Sequence, residues 1–355
     1  MSLVSQTIQS LDEGIRAGQW KAGLPSEREL SKHLQVSRTT IRAALEELQR
    51  KGWLNVSNRK GRSIVTRRAT RAVSAPKKEI AVLSPRPHSA MTSLTKSALD
   101  MLREKLAKAG YITELHVNAA CFSGNPARAL EQLVRAHPSA VWVVLGSKEP
   151  PQRWFIRQRI PCLILGSCAP EFALPSLDVD LQAVCRHAGG VFLRKGHRQL
   201  ALVLPQNAYA GDVLSEAGFR EALASVPDAA PLRVIRHDGT TAHLCFLLDA
   251  ALRAPDPPTA FLVAPALQTL TVMMHLMGRG KRIPRDVAVI SRGDDPVLEA
   301  ATPVVARYVI NPEQFARRLS SAVRQLAETG ALPAHAIRMM PAFFPGETIT
   351  GPGAG

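Results

Sequence analysis

The sequence predicts an α/β protein in which an N-terminal winged helix-turn-helix precedes a two-lobed, doubly wound parallel-sheet domain. Three observations predict it. Residues 24–54 (LPSERELSKHLQVSRTTIRAALEELQRKGWL) hold two amphipathic helical patterns separated by a short break. The excess of positive charge is concentrated before residue 79. From Glu79 onward, strand and helix patterns alternate in two consecutive rounds, the signature of parallel sheets.

In the first helix Ser26 and Glu29 have capping-box spacing, and Leu30 and Leu34 share one face. Gln35, Val36 and Ser37 break the pattern, with Ser37 placed to cap the next helix. There Ile41, Leu45 and Leu48 recur at helical spacing and should pack inward, which turns Arg38, Thr39 and Arg42 outward near a helix N-terminus. Gly52 is placed to end the helix, and Trp53 and Leu54 return the chain to the small core. Residues 55–65 (NVSNRKGRSIV) read as a two-stranded wing with Asn58, Arg59 and Lys60 at its tip. Basic residues on an exposed helix are usually no more than a solvated face. Here cap, break, core spacing and wing agree. Together they fit a groove lined by phosphates and base edges, so double-stranded DNA is the first partner to consider. His33 reads as a plain exposed residue of the first helix.

The formal net charge is +16 over 355 residues. Residues 1–78 hold 16 Lys/Arg and 6 Asp/Glu, a net of +10, and the rest of the chain holds 29 and 23, a net of +6. The small N-terminal unit thus carries most of the excess, as a polyanion partner demands, and such binding weakens steeply with salt. The five cysteines (121, 162, 168, 185 and 245) form no C-x-x-C pair, and no Cys/His spacing fits a zinc module. Most lie in apolar surroundings, as buried small residues do. No metal or cofactor is expected. The absence of a signal-peptide pattern and of any long apolar run predicts a cytoplasmic protein without a membrane partner.

Hydrophobic periodicity vanishes from Thr66 to Lys78 (TRRATRAVSAPKK), which reads as a basic linker over 67–78. Beyond it, strands are expected at 80–83, 112–117, 140–145 and 162–165, with helices at 93–109, 126–136 and 151–159 between them. After Asp178-Val179-Asp180 a second round brings helices at 182–194, 217–224, 241–252 and 267–278, and strands at 200–204, 234–235, 261–263 and 287–290. Ligands of such sheets lie beyond the C-terminal strand ends, here between the two blocks.

Residues 3–66 closely resemble the winged helix of GntR-family bacterial transcription regulators. LPSEREL, the VSRTTIR start of the second helix, the L-x-x-x-G-W-L exit and the basic wing carry the likeness. The resemblance implies DNA contacts from Arg28, Ser37, Arg38, Thr39, Thr40, Arg42, Asn58, Arg59 and Lys60. Arg59 stands where the family wing often has Gly.

Residues 79–350 resemble the effector domain of LacI/GalR-type regulators, itself similar to periplasmic sugar-binding proteins. IPCLILG (160–166), residues 178–203, AGFREAL (217–223), residues 277–295 and NPEQFARRL (311–319) carry it. The pairing of the two modules resembles the arabinose-repressor subfamily. It implies a first lobe of about 79–180 and 309–330, a second of about 181–308 and 331–350, and a homodimer presenting two winged helices to an operator. The implied effector site holds Arg86 and His88 from the loop after the first strand, Ser215, and Asp294, which matches a sugar-binding aspartate. Ser215 stands where many relatives have a sugar-gripping Arg, and Pro265-Ala266 where many have Asn-Asp. A non-sugar ligand, or a domain serving mainly dimerisation, therefore stands beside a sugar effector.

The expected function is a repressor whose operator affinity a small molecule modulates. The competing reading is an enzyme, because some winged helices of this type are fused to pyridoxal-phosphate enzymes. Lys148 and Lys195 lack a phosphate-binding context, and no G-x-G-x-x-G, G-x-S-x-G or P-loop motif occurs. His187, His197, Asp178 and Asp180 fit structural roles better than acid–base ones. The chain is therefore expected not to be an enzyme. A plain solute-binding protein would be expected to carry a secretion signal and no winged helix.

Overall fold

The computed structural model describes residues 79–138, 140–169, 171–206 and 209–352. Ahead of them it describes positions 4, 7, 8, 10, 11, 20, 24–34, 36–50, 54–57 and 61–64. The expected helix end at Gly52, Trp53, the wing tip at Asn58, Arg59 and Lys60, and the linker lie outside the described residues. The chain divides into two compact units, Met1–Ala72 and Val73–Gly355.

The first unit contains α1 (Glu27–Leu34), α2 (Arg38–Arg50), β1 (Leu54–Ser57) and β2 (Gly61–Ile64). The apolar stripes read from the sequence meet in one core of Leu11, Leu30, Ile41, Ala44, Leu45 and Leu48. β1 and β2 pair antiparallel, with Ser57 opposite Gly61, as a wing requires.

The second unit has two six-stranded sheets. The first lobe runs β3 (Glu79–Ser84), α3 (Ser93–Lys108), β4 (Ile112–Val117), α4 (Ala127–Ala136), β5 (Val141–Leu145), α5 (Glu149–Gln158), β6 (Cys162–Leu165) and β7 (Ser176–Val179). The second lobe runs α6 (Leu181–Arg194), β8 (Leu200–Pro205), α7 (Ala210–Ala224), β9 (Arg233–His237), α8 (Thr241–Leu252), β10 (Ala260–Val263), α9 (Ala266–Gly278), β11 (Ala288–Ser291) and β12 (Ala306–Val309). α10 (Pro312–Thr329), β13 (Ala336–Met339) and β14 (Ala342–Phe344) follow. The sheet orders are β13-β7-β6-β5-β3-β4 and β14-β12-β11-β10-β8-β9. All neighbours are parallel except the β12–β14 pair. The central strands are buried on both faces, which is why they read as unbroken apolar runs.

α10 crosses back and packs on the first lobe, burying Phe315, Leu319, Val323 and Leu326 in its core. The chain does not then return at residue 331, as the implied lobe boundary had it. β13 first pairs with β7, Ala336 opposite Ser176, and only β14 reaches the second sheet. β13 takes the free side of β7, which pairs on its other side with β6, and the short AIRM run carries no sign of which sheet it joins.

The C-terminal tail is held by His197. This buried ring accepts from Thr259 Oγ1 at 2.9 Å through Nδ1 and donates from Nε2 to the Thr350 carbonyl at 2.7 Å. Burial lowers its pKa, so it stays neutral. His197→Ala removes the ring partner of the half-buried Thr350 carbonyl and of the Thr259 hydroxyl, which retains a long bond to the Gln199 carbonyl, and is expected to cost about 1–2 kcal/mol in urea unfolding at neutral pH. An unfolded histidine titrates near ~6.5 and the folded one lower. The histidine's contribution is therefore full above that value and declines as pH falls below it. The variant should flatten this part of the stability–pH curve, and an unchanged slope would remove His197 from the account.

Candidate nucleic-acid interface and interlobe site

The start of α2 is built by its caps. In α1, Ser26 N–H donates to Glu29 Oε2 at 2.9 Å and Glu29 N–H to Ser26 Oγ at 3.3 Å, a closed capping box. These hydrogen bonds to Ser26 hold the Glu29 carboxyl below its ordinary pKa. Ser31 Oγ donates to the Val36 carbonyl at 2.6 Å, closing the turn between the helices. Ser37 Oγ accepts from Thr40 N–H at 3.1 Å and lies 2.8 Å from Thr40 Oγ1. Two of the residues singled out from the sequence, Ser37 and Thr40, thus spend their hydroxyls on the cap. Arg28, Arg38, Thr39 and Arg42 are exposed, while Ile41, Ala44 and Leu45 are buried beneath them. Arg42 pairs with Glu27 at 3.1 Å, and Arg38 has no ion pair among the described residues. His33 is exposed.

In the second unit several contacts join the lobes, among them Val179 of β7, which packs on the core of the second lobe. Ser93 Oγ, in the first turn of α3, donates to Asp295 Oδ2 at 2.9 Å. Lys148 Nζ lies 5.4 Å from the centre of the Tyr209 ring. Gly211, at the start of α7, abuts Leu181 and Ser167 so closely that a Cβ would lie 2.6 Å from the leucine Cδ1 and 3.3 Å from the serine Oγ. Lys148 and Lys195 are otherwise helix-end residues.

The four expected effector residues are not brought together. Ser215 is fully buried and donates to the Gly211 carbonyl at 2.7 Å. Asp294 receives Arg307 Nε at 2.7 Å, and Arg307, itself buried, also holds Glu299 and stacks on Phe344. Arg86 is exposed after a turn closed by Ser84. His88 is not in the cleft where the sequence placed it. It lines a hollow of about 240 Å³ with Leu99, Arg103, Thr113 and Leu115, and its Nε2 lies 3.2 Å from Asp100. The short helical turn His88–Ala90 delivers the ring to the flank of α3, two turns beyond Ser93.

Sequence reasoning missed Arg292. Its Nη1 donates to Asp212 Oδ1 at 2.7 Å and to Ser215 Oγ at 2.8 Å. The guanidinium expected at position 215 in relatives is thus supplied here from the end of β11, against the same side chain. The signal was the arginine inside ISRGDD, read there only as part of a longer likeness. Nε and Nη2 of Arg292 make no hydrogen bond among the described residues, so the fork keeps donors for an oxygen-bearing ligand.

The drawn acid–base groups have structural partners. Asp178, at the crossing between the lobes, accepts from Ser167 Oγ at 2.6 Å and from Val179 N–H at 2.8 Å, and burial pushes its pKa up. Asp180 caps α6 through Ala183 N–H. His187 lies 2.7 Å from the Tyr308 hydroxyl. The thiols of Cys121 and Cys185 are pushed up to about 11 by burial, which leaves them protonated. Among the described residues no helix is long and apolar enough to cross a membrane.

Comparison with known proteins agrees with this architecture. Residues 3–64 match the model for bacterial regulatory proteins of the gntR family, and residues 190–349 match that for a periplasmic binding protein-like domain. The chain is 33% identical over 140 residues to the HTH-type transcriptional regulator CelR of Thermobifida fusca. That match covers 38% of this chain and 40% of the relative. A solved complex of transcriptional regulator CelR with cellobiose is similar in fold, with 18% identity, a TM-score of 0.66, and coverage of 92% of this chain and 100% of that one. A LacI family regulator from Bifidobacterium animalis subsp. lactis gives 17% identity and a TM-score of 0.66, with coverage of 79% and 100%. The chain therefore joins, in one polypeptide, a helix-turn-helix unit that matches the gntR family and a periplasmic binding protein-like domain whose fold is similar to that of LacI family regulators.

Proposed function

We propose that this protein is a sequence-specific DNA-binding transcription regulator, a homodimeric repressor whose operator affinity changes when a small molecule binds between the lobes. The observation that carries the reading is α2. Its inner face is locked into a packed core, while Arg38, Thr39 and Arg42 stand exposed at its capped start, in a chain that also has a two-lobed ligand-binding fold. Arg28, Ser37, Thr40 and the wing residues Asn58, Arg59 and Lys60 complete the proposed DNA surface. The test is fluorescence anisotropy with promoter DNA from the protein's own locus. Salt-sensitive binding that survives competitor DNA is expected, and binding indifferent to sequence would overturn the reading.

For the effector, carbohydrates are the first class to try, because the similar CelR structure holds cellobiose. Arg292 is the proposed anchor. Asp294 and Ser215 already spend hydrogen bonds on Arg307 and Arg292, which favours a ligand other than the sugars of the relatives, or a cleft serving assembly alone. Thermal-shift screening of the full chain decides between these. A true effector should raise Tm by linkage, and Arg292→Ala should abolish that rise. A blank across sugars and other metabolites would leave the dimerisation role.

A further inference from the structure

We propose that Glu79, Glu114, His116 and His137 bind one divalent transition-metal ion of the zinc class at the edge of the first lobe. One ligand atom from each lies within 4.8 Å of all the others. The four come from three places in the fold. Glu79 opens β3, Glu114 and His116 lie two apart on one face of the edge strand β4, and His137 ends α4. The imidazole centroids of His116 and His137 are 4.4 Å apart, and the Trp142 ring walls them at 5.9 and 6.4 Å. His137 Nδ1 and Glu79 Oε1 are 2.6 Å apart.

His116 makes the cluster more than a solvated ion pair. Its Nε2 is buried and has no hydrogen-bond partner among the described residues, and the nearest acid oxygen, Glu114 Oε2, is 4.0 Å away. A buried ring nitrogen without a partner is costly, and a metal ion would satisfy it. Two imidazole nitrogens with two carboxylate oxygens suit zinc, cobalt or nickel, whereas magnesium and calcium prefer oxygen alone. Zinc bonds of about 2.0–2.2 Å to N and O ligands ask the four atoms to draw closer, within reach of side-chain rotation. Glu114 is more than half exposed, so the ion enters from solvent and this carboxylate closes over it. No motif announced the site, because its ligands are spread from residue 79 to residue 137 without a repeating spacing. Bound metal would fasten the residue that follows the basic linker to β4 and to the end of α4.

The test uses the full chain, stripped with chelator and titrated with Zn²⁺ against a chromophoric competitor, then with Co²⁺. One equivalent per chain is expected, with the intense visible absorption of four-coordinate cobalt and no thiolate charge-transfer band. His116→Asn and, at the exposed ligand, Glu114→Gln should each remove the equivalent while the circular dichroism spectrum is retained. No bound equivalent, a thiolate band pointing to Cys168 or Cys245, or binding indifferent to both variants would overturn the proposal.

Discussion

Arg38→Ala is expected to weaken operator binding by about 1–3 kcal/mol, roughly 5- to 150-fold, and to relax preference at one base position. Arg38 is the first residue of α2, directly after the Ser37 cap, where backbone N–H groups already favour a phosphate. It is exposed and has no ion pair among the described residues, so its guanidinium reaches DNA without breaking an internal contact. Arg42 is the control. It must leave Glu27, and an exposed pair of that kind is worth less than about 1 kcal/mol. Arg42→Ala should thus have the smaller effect. Neither change touches the core, so the melting temperature should stay put. A salt series separates base reading from phosphate contact, since losing a phosphate contact lowers the slope by about one and leaves sequence preference intact. Unchanged affinity for Arg38→Ala would remove the residue from the interface.

Gly218→Ala should destabilise the second unit by about 3 kcal/mol or more. An added Cβ would lie 2.0 Å from the Gln182 carbonyl oxygen and 2.8 Å from its carbon, and these are backbone atoms that no rotamer change can move. Gly189 meets Ala222 on the same seam, where a Cβ would come within 2.6 Å. α6 and α7 therefore pack almost backbone to backbone, with Val184, Ala188, Phe192, Phe219 and Ala222 buried together around the crossing. Forcing the helices apart opens that core from its centre. Gly278→Ala is the control, because a Cβ there meets nothing within 4 Å. It lies at the end of a helix and should be neutral or slightly stabilising. Differential scanning calorimetry distinguishes the two, and a wild-type Tm for Gly218→Ala would refute the close crossing.

The winged helix was legible because its signals are local: a capping box whose partners are three residues apart, an apolar stripe at helical spacing, a serine cap. The buried strands β3, β5, β6, β8 and β10 were legible for a different reason, being apolar on both faces. β7, β12, β13 and β14 were not. Each is three or four residues long, and β12 carries Arg307, whose burial is made tolerable only by Asp294, Glu299 and Phe344, all distant from one another in pattern if not in space. The same nonlocality hid the site. Arg292 reaches Ser215 across 77 residues, so the position that looked as if it had lost its arginine had one delivered from another strand. His88 shows the converse error, since a loop's place in the sequence does not determine which side of it the ring falls.

Most of the second lobe is inserted within the first, and β14 joins it only after the first lobe is complete. Residues 181–309 leave the first sheet after β7, and α10 and β13 complete it. A stop codon anywhere between these points would yield a first lobe lacking Phe315, Leu319 and Val323, and so no stable half-product. At the level of the gene, the two-lobed domain is inherited whole or lost whole. The boundary at which one cut leaves both parts contiguous is that between Ala72 and Val73, within the basic linker, and a recombination event there can hand the same two-lobed domain to another N-terminal module.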